Sequence, residues 1–163
     1  MRPLTVTSIV DRPRQEVFDY LSDLANHAEF TDHFLKQFRL ERVQSRGVGA
    51  AVRYEIDFPL GAIWAESALV ELDAPFIIVL EGVAGRIGRI RTRTEYRLTG
   101  HDQDMTKVEL TYSTEPATAV DRLKEALGMR PWLRAKWARA LRRLGQVLER
   151  GEPSSRAAGV AAG

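Results

Sequence analysis

Between Leu40 and Tyr112 apolar and polar residues alternate, and after Pro116 the apolar residues recur at helical spacing instead. This switch limits the fold more than any other feature. A period of two marks strands with one dry face and one wet face. It is clearest where Val52, Tyr54, Ile56 and Phe58 alternate with Arg53, Glu55 and Asp57. It recurs where Ile90, Thr92, Thr94, Tyr96 and Leu98 alternate with Arg89, Arg91, Arg93, Glu95 and Arg97, and where Val108, Leu110 and Tyr112 alternate with Lys107, Glu109 and Thr111. The pattern predicts about six strands in this region, over 38–45, 50–58, 62–72, 76–83, 89–98 and 106–114. Short Gly-, Pro- and Asp-bearing turns separate them, so neighbours should pair antiparallel.

A one-faced sheet needs a cover. Leu133, Trp137, Ala140, Leu141, Leu144 and Leu148 form a continuous apolar stripe behind Pro131, which is placed to start a helix. A shorter stripe, Val120, Leu123 and Leu127, precedes it and is stopped by Gly128. Upstream, Leu4 to Val10 reads as a strand. Pro13 then opens a helix that buries Val17, Phe18, Leu21 and Leu24, and Phe30, Phe34 and Phe38, four apart, predict a second short helix. The expected class is α+β: a curved antiparallel sheet of about seven strands wrapped around a long C-terminal helix, with two short helices after the first strand. A chain of 163 residues suits one domain, read here as 1–150. The Gly-, Pro-, Ser- and Ala-rich tail 151–163 has little to bury and is expected to be disordered.

Composition narrows the chemistry. There is no cysteine, which removes disulfides, thiolate nucleophiles and thiolate metal ligands. The net charge of +2 is too small to argue for a nucleic-acid partner. The longest apolar runs are too short to cross a bilayer, and the N-terminus has no apolar signal region, so a cytoplasmic location is expected. Gly85-Arg86-Ile87-Gly88 reads as a hairpin turn and lacks the strand-to-helix setting of a phosphate-binding loop. No cofactor and no metal site is expected.

The segment Val10-Asp11-Arg12-Pro13-Arg14-Gln15-Glu16-Val17-Phe18-Asp19-Tyr20-Leu21-Ser22-Asp23 resembles the opening of the START-like (SRPBCC) superfamily, which contains polyketide cyclase/dehydrase-like and lipid-transport proteins. Pro13, the Val17-Phe18 pair and the terminating Asp23 carry that likeness, with Ala28-Glu29-Phe30 following. Thr106 to Tyr112 resembles the last strand of the group and Leu133 to Leu144 its final helix. The resemblance spans about Leu4 to Glu149 and implies a helix-grip fold with an apolar cavity. Activities differ widely among members, so the fold does not carry function across.

The inward faces of the strands, the second helix and the C-terminal helix supply the expected ligand contacts. These are Phe30, Phe34, Tyr54, Ile56, Phe58, Trp64, Ile78, Leu80, Thr92, Thr94, Tyr96, Leu110, Tyr112, Leu133 and Trp137. Buried Thr-x-Thr-x-Tyr is a costly way to fill a core and a good way to orient a ligand. Glu66 shares a face with Trp64, and that strand's pattern leaves open whether the face points inward. If it does, Glu66 is a candidate acid or base, and Glu81 is read the same way. His27 is the second catalytic candidate, with His33 nearby. Arg89, Arg91 and Arg93 on a strand, and Lys136, Arg139 and Arg143 on the final helix, form basic rows that fit either a solvated face or an anionic surface. The leading expectation is binding of an apolar or aromatic small molecule (lipid, polyketide or quinone-like), with room for a peripheral membrane contact. One alternative is a cyclase, aromatase or dehydratase with an acid/base residue in the cavity. The other is a partner-protein or ribosome/RNA-binding module, with an exposed apolar patch around Ile77 and Val79.

Overall fold

A computed structural model describes residues 1–151, so the tail expected to be disordered, Gly151 apart, lies outside the described residues. The strands are β1 (Leu4–Val10), β2 (Leu35–Leu40), β3 (Ala51–Phe58), β4 (Gly61–Asp73), β5 (Ile77–Ala84), β6 (Ile90–His101) and β7 (Met105–Glu115). They form one antiparallel sheet in the order β1-β7-β6-β5-β4-β3-β2. Helices α1 (Arg14–Leu21) and α2 (His27–Thr31), joined by a short 3-10 turn, connect β1 to β2. Helix α3 (Ala119–Lys124) and a wide turn lead into the 21-residue α4 (Arg130–Arg150).

The alternation settles which face is dry. Val52, Tyr54 and Ile56 of β3, Thr92 to Leu98 at every second position of β6, and Val108, Leu110 and Tyr112 of β7 are all buried. They meet Leu133, Trp137, Ala140, Leu141 and Leu144 of α4 in one core. The sheet bends where the pairing register shifts, between Lys36 and Arg39 and between Leu69 and Glu71. Between β4 and β5 the backbones approach so closely that a Cβ at Gly82 would lie 1.8 Å from the Glu66 carbonyl oxygen.

The ends of the helices are tied by sequence-distant partners. Asp23 caps the start of the 3-10 turn after α1, accepting the Ala25 N–H at 3.1 Å, and pairs with Arg46 at 3.1 Å, which pins the β2–β3 loop. At the far end of α4 the Arg12 guanidinium donates to the Leu148 carbonyl at 3.1 Å and the Glu149 carbonyl at 3.2 Å. A cation satisfying the last carbonyls of a helix also suits its dipole. Arg143 bonds the Asp32 carboxylate and the Glu29 carbonyl, so α4 is fastened to α2 as well.

Two expectations need correction. The second helix ends at Thr31, and β2 starts at Leu35 rather than at Phe38. Gln37, at φ 50°, forms the irregularity in β2, so Leu35 and Phe38 both reach the interior although they are three apart. A bulged strand has thus imitated helical spacing. The stripe Val120, Leu123 and Leu127 is not core either; these side chains are 61%, 60% and 73% exposed.

Candidate functional site

The centre of the grip holds a small cavity of about 20 Å³, with room for about one water molecule. Its wall is apolar with a few hydroxyls: Leu35, Phe38, Val52, Leu80 and Trp137 beside His27, Thr31, Tyr54, Ser67, Thr94 and Tyr96. The Tyr54 and Ser67 hydroxyls are 2.9 Å apart and hydrogen-bonded. Trp137 has a buried indole N–H with no acceptor among the described residues. A buried donor without a partner costs about 1–3 kcal/mol. Trp137 thus lines the cavity and carries a polar group that the protein itself leaves unpaired.

His27 is placed by α2. Its Nε2 lies 2.7 Å from the Leu21 carbonyl, which can only accept, so Nε2 carries the hydrogen. The ring packs against Phe30 at 5.2 Å and edge-on to Tyr96 at 5.9 Å. Burial lowers its pKa to about 4, against the opposing pull of the Leu21 carbonyl and Asp23. The ring is neutral at pH 7 and weakly basic. Burial pushes the Tyr96 and Tyr112 hydroxyls well above the usual phenol range, and Tyr54 moves the same way, partly offset by its bond to Ser67.

Aromatic side chains close the end of the grip where α4 begins. Phe58, half-buried at the rim, lies 4.9 Å from Trp132. Phe34 stands edge-on to both Trp132 and Trp137, at 6.3 and 5.1 Å. Tyr112 meets Trp137 from the other side at 5.8 Å.

Of the expected ligand contacts, Tyr54, Leu80, Thr94, Tyr96 and Trp137 line the cavity. Phe30, Phe34, Ile56, Ile78, Thr92, Leu110, Tyr112 and Leu133 are buried in the surrounding core. Trp64 is a correction. It sits on the outer face of β4, beneath the guanidinium groups of Arg53 at 4.8 Å and Arg39 at 5.9 Å. Glu66 shares that face, lies across from Arg53 at 3.9 Å and is half-exposed, so it is no cavity acid. Glu81 also faces out, where it pairs with Arg93. Among the described residues no Asp or Glu is buried.

The basic rows also change meaning. Arg93 pairs with Glu81 and shares Glu95 with Arg97, so one member of the row Arg89, Arg91 and Arg93 is neutralised within the sheet. Arg143 is spent on α2 and on His33 Nδ1 at 3.1 Å, while His33 Nε2 donates to the Lys136 carbonyl. Lys136 stands 5.4 Å from the Trp132 ring. Val79 is buried and Ile77 half-buried, so the patch expected for a partner protein is absent there.

Thr31, Leu35, Phe38, Val52 and Ser67 line the cavity without having been singled out. Ser67 shares a face with Ala65 and Leu69, and only the register, which pairs Glu66 with Arg53, shows that this face is the inner one.

No helix among the described residues is long and apolar enough to cross a membrane. No curated protein matches the chain. Solved structures do. The aromatase/cyclase Zhui from Streptomyces sp. R1128 is 18% identical, with a TM-score of 0.70 over 91% of this chain and 94% of its own. The protein TTHA0849 from Thermus thermophilus is 12% identical, with a TM-score of 0.69 over 90% and 96%. DynU16, from the dynemicin biosynthetic locus, is 19% identical with a TM-score of 0.63 over 94% of this chain, which spans only 49% of the length of DynU16. At these identities the likeness shows the fold alone. The family described as polyketide cyclase/dehydrase and lipid transport matches residues 1–149, and the helix-grip architecture is the one its resemblance implies; the chain belongs to that family.

Proposed function

We propose that the chain binds an apolar, largely aromatic small molecule carrying a hydrogen-bond acceptor, between the sheet and α4. The observation that carries this reading is the unpartnered Trp137 N–H in a wall that also presents the Tyr54, Ser67 and Thr94 hydroxyls. A wall built only for packing would not gather these groups. Drug-sized ligands occupy roughly 300–1,000 Å³, against about 20 Å³ here. Binding therefore requires the aromatic closure of Phe34, Phe58 and Trp132 to move aside. Gly128, at φ 109°, breaks the chain just before α4 and supplies the hinge.

The same fold in an aromatase/cyclase raises an enzymatic reading for this chain. Its proton carrier would have to be His27, since Glu66 and Glu81 face out. A ring with a pKa near 4 is a poor base at neutral pH. The carrier reading stands ahead for that reason, and His27 is assigned to ligand positioning.

The test pairs native mass spectrometry of the purified protein with titration of a fluorescent planar quinone. Micromolar binding is expected, weakened roughly fivefold in Trp137→Phe, the worth of about one hydrogen bond. No co-purifying molecule and no quinone binding would reject the reading. Turnover of a poly-keto substrate abolished by His27→Gln would replace it with the enzymatic one.

A further inference from the structure

The antiparallel registers gather particular connections at one end of the sheet. The β3–β4 turn with Leu60, the β5–β6 connection from Gly85 to Arg89, and the end of β7 that leads into α3 all lie there. Leu60 is 98% exposed, Ile87 83% and Leu127 73%, and Leu123 and Val120 follow at 60% and 61%. The other strongly exposed aliphatics, Val43 and Val48, belong to the β2–β3 loop at the far end. Around the first group stand Arg86, Arg89, Arg91 and Arg122, all exposed and without an ion-pair partner among the described residues. Asp57 and Glu115 are the exposed acids nearby, while Asp121 and Glu125 accept the Thr118 and Thr114 hydroxyls. At the opposite end the tight turns carry Asp73, Asp102 and Asp104 instead.

Ile87 gives the second, independent observation. Its backbone is left-handed, at φ 68° and ψ 21°. That conformation suits Gly or Asn and is strained for a β-branched residue. Its side chain is solvent-exposed, so packing does not repay the strain.

We propose that this end of the molecule docks on an anionic lipid bilayer. Leu60, Ile87, Leu123 and Leu127 enter the headgroup region, and Arg86, Arg89, Arg91 and Arg122 meet lipid phosphates. Separate apolar tips on different segments suit a deformable bilayer, whereas a protein partner needs matched shape. The docked face is also the end closed by Phe58 and Trp132. An apolar molecule would then pass between bilayer and cavity without crossing water. The docking surface itself stands whatever the cavity holds.

The experiment is co-sedimentation with phosphatidylcholine vesicles, with and without roughly one-third phosphatidylglycerol, at low and high salt. Binding is expected on the anionic vesicles only, and it should weaken as salt rises. Ile87→Asn and Leu60→Asn should each weaken it roughly tenfold, as should Arg86→Gln with Arg89→Gln. The thermal midpoint of Ile87→Asn should hold or rise, because Asn tolerates the left-handed backbone. A wild type that stays in the supernatant with anionic vesicles overturns the proposal and leaves the patch to a protein partner. Equal sedimentation of wild type and the tip variants overturns it too. Quinone binding measured without vesicles reports the cavity separately, so failure of one reading is distinguishable from failure of the other.

Discussion

His27 links the site to pH. It is neutral when buried, with a pKa near 4, whereas in the unfolded chain it titrates near 6.5. The unfolded state therefore binds the extra proton first as pH falls. Stability is full above about pH 6.5, declines between 6.5 and 4, and levels off below, a total of about 3 kcal/mol. Between pH 7 and 5 the loss should be about 2 kcal/mol, read as a falling urea midpoint. His33, also lowered chiefly by burial, adds in the same direction. Asp32 and Glu95, held low by Arg143 and Arg97, extend the decline into the carboxylate range. In His27→Gln, whose amide can still donate to the Leu21 carbonyl, the slope between pH 7 and 5 should shrink by more than half. An unchanged slope would mean that His27 is not the neutral buried group described.

At the scale of the element, the close approach of β4 and β5 depends on one glycine. Gly82 pairs with Ser67, a cavity residue, and its missing side chain is what lets the Glu66 carbonyl come so near. A methyl group there meets backbone, not a side chain that can swing away. Gly82→Ala should cost about 3 kcal/mol or more, measured by chemical unfolding, and should also disturb the Tyr54–Ser67 bond. Ala at Gly100, where an added Cβ meets nothing within 4 Å, is the control and should change stability little. Helix α4 shows the complementary case: its C-terminal end is held by Arg12, while its N-terminal end follows a break at Gly128. The end held by Arg12 is far from the aromatic closure, and the end that follows the break adjoins it, tied there by Arg130 to the Pro3 carbonyl at 3.0 Å.

For the whole molecule, the small cavity sets the kinetics. A grip that must open before it binds associates more slowly than the 10⁵–10⁷ M⁻¹s⁻¹ typical of preformed surfaces. Stopped-flow quenching of the tryptophans by a planar quinone should give an association rate below about 10⁵ M⁻¹s⁻¹. Trp132→Ala removes the outer half of the closure and should raise that rate roughly tenfold or more. A wild-type rate that Trp132→Ala leaves unchanged would place the access route elsewhere.

The alternation of β3, β6 and β7 and the stripe of α4 determined the architecture, because a one-faced sheet and a one-faced helix have few ways to bury both faces. They also determined that Tyr54, Thr94, Tyr96 and Trp137 would meet. What the sequence left open is what depends on register and closeness. Trp64 and Glu66 lie outside because pairing sets them against Glu55 and Arg53, and β4's own pattern carries no such information. Phe38 lies inside because a bulge shifts it by one residue. The size of the cavity, and the gathering of Leu60, Ile87 and Leu127 at one end, arise from distances between segments far apart in the chain. Periodicity tells which way a side chain points; only packing tells what it meets.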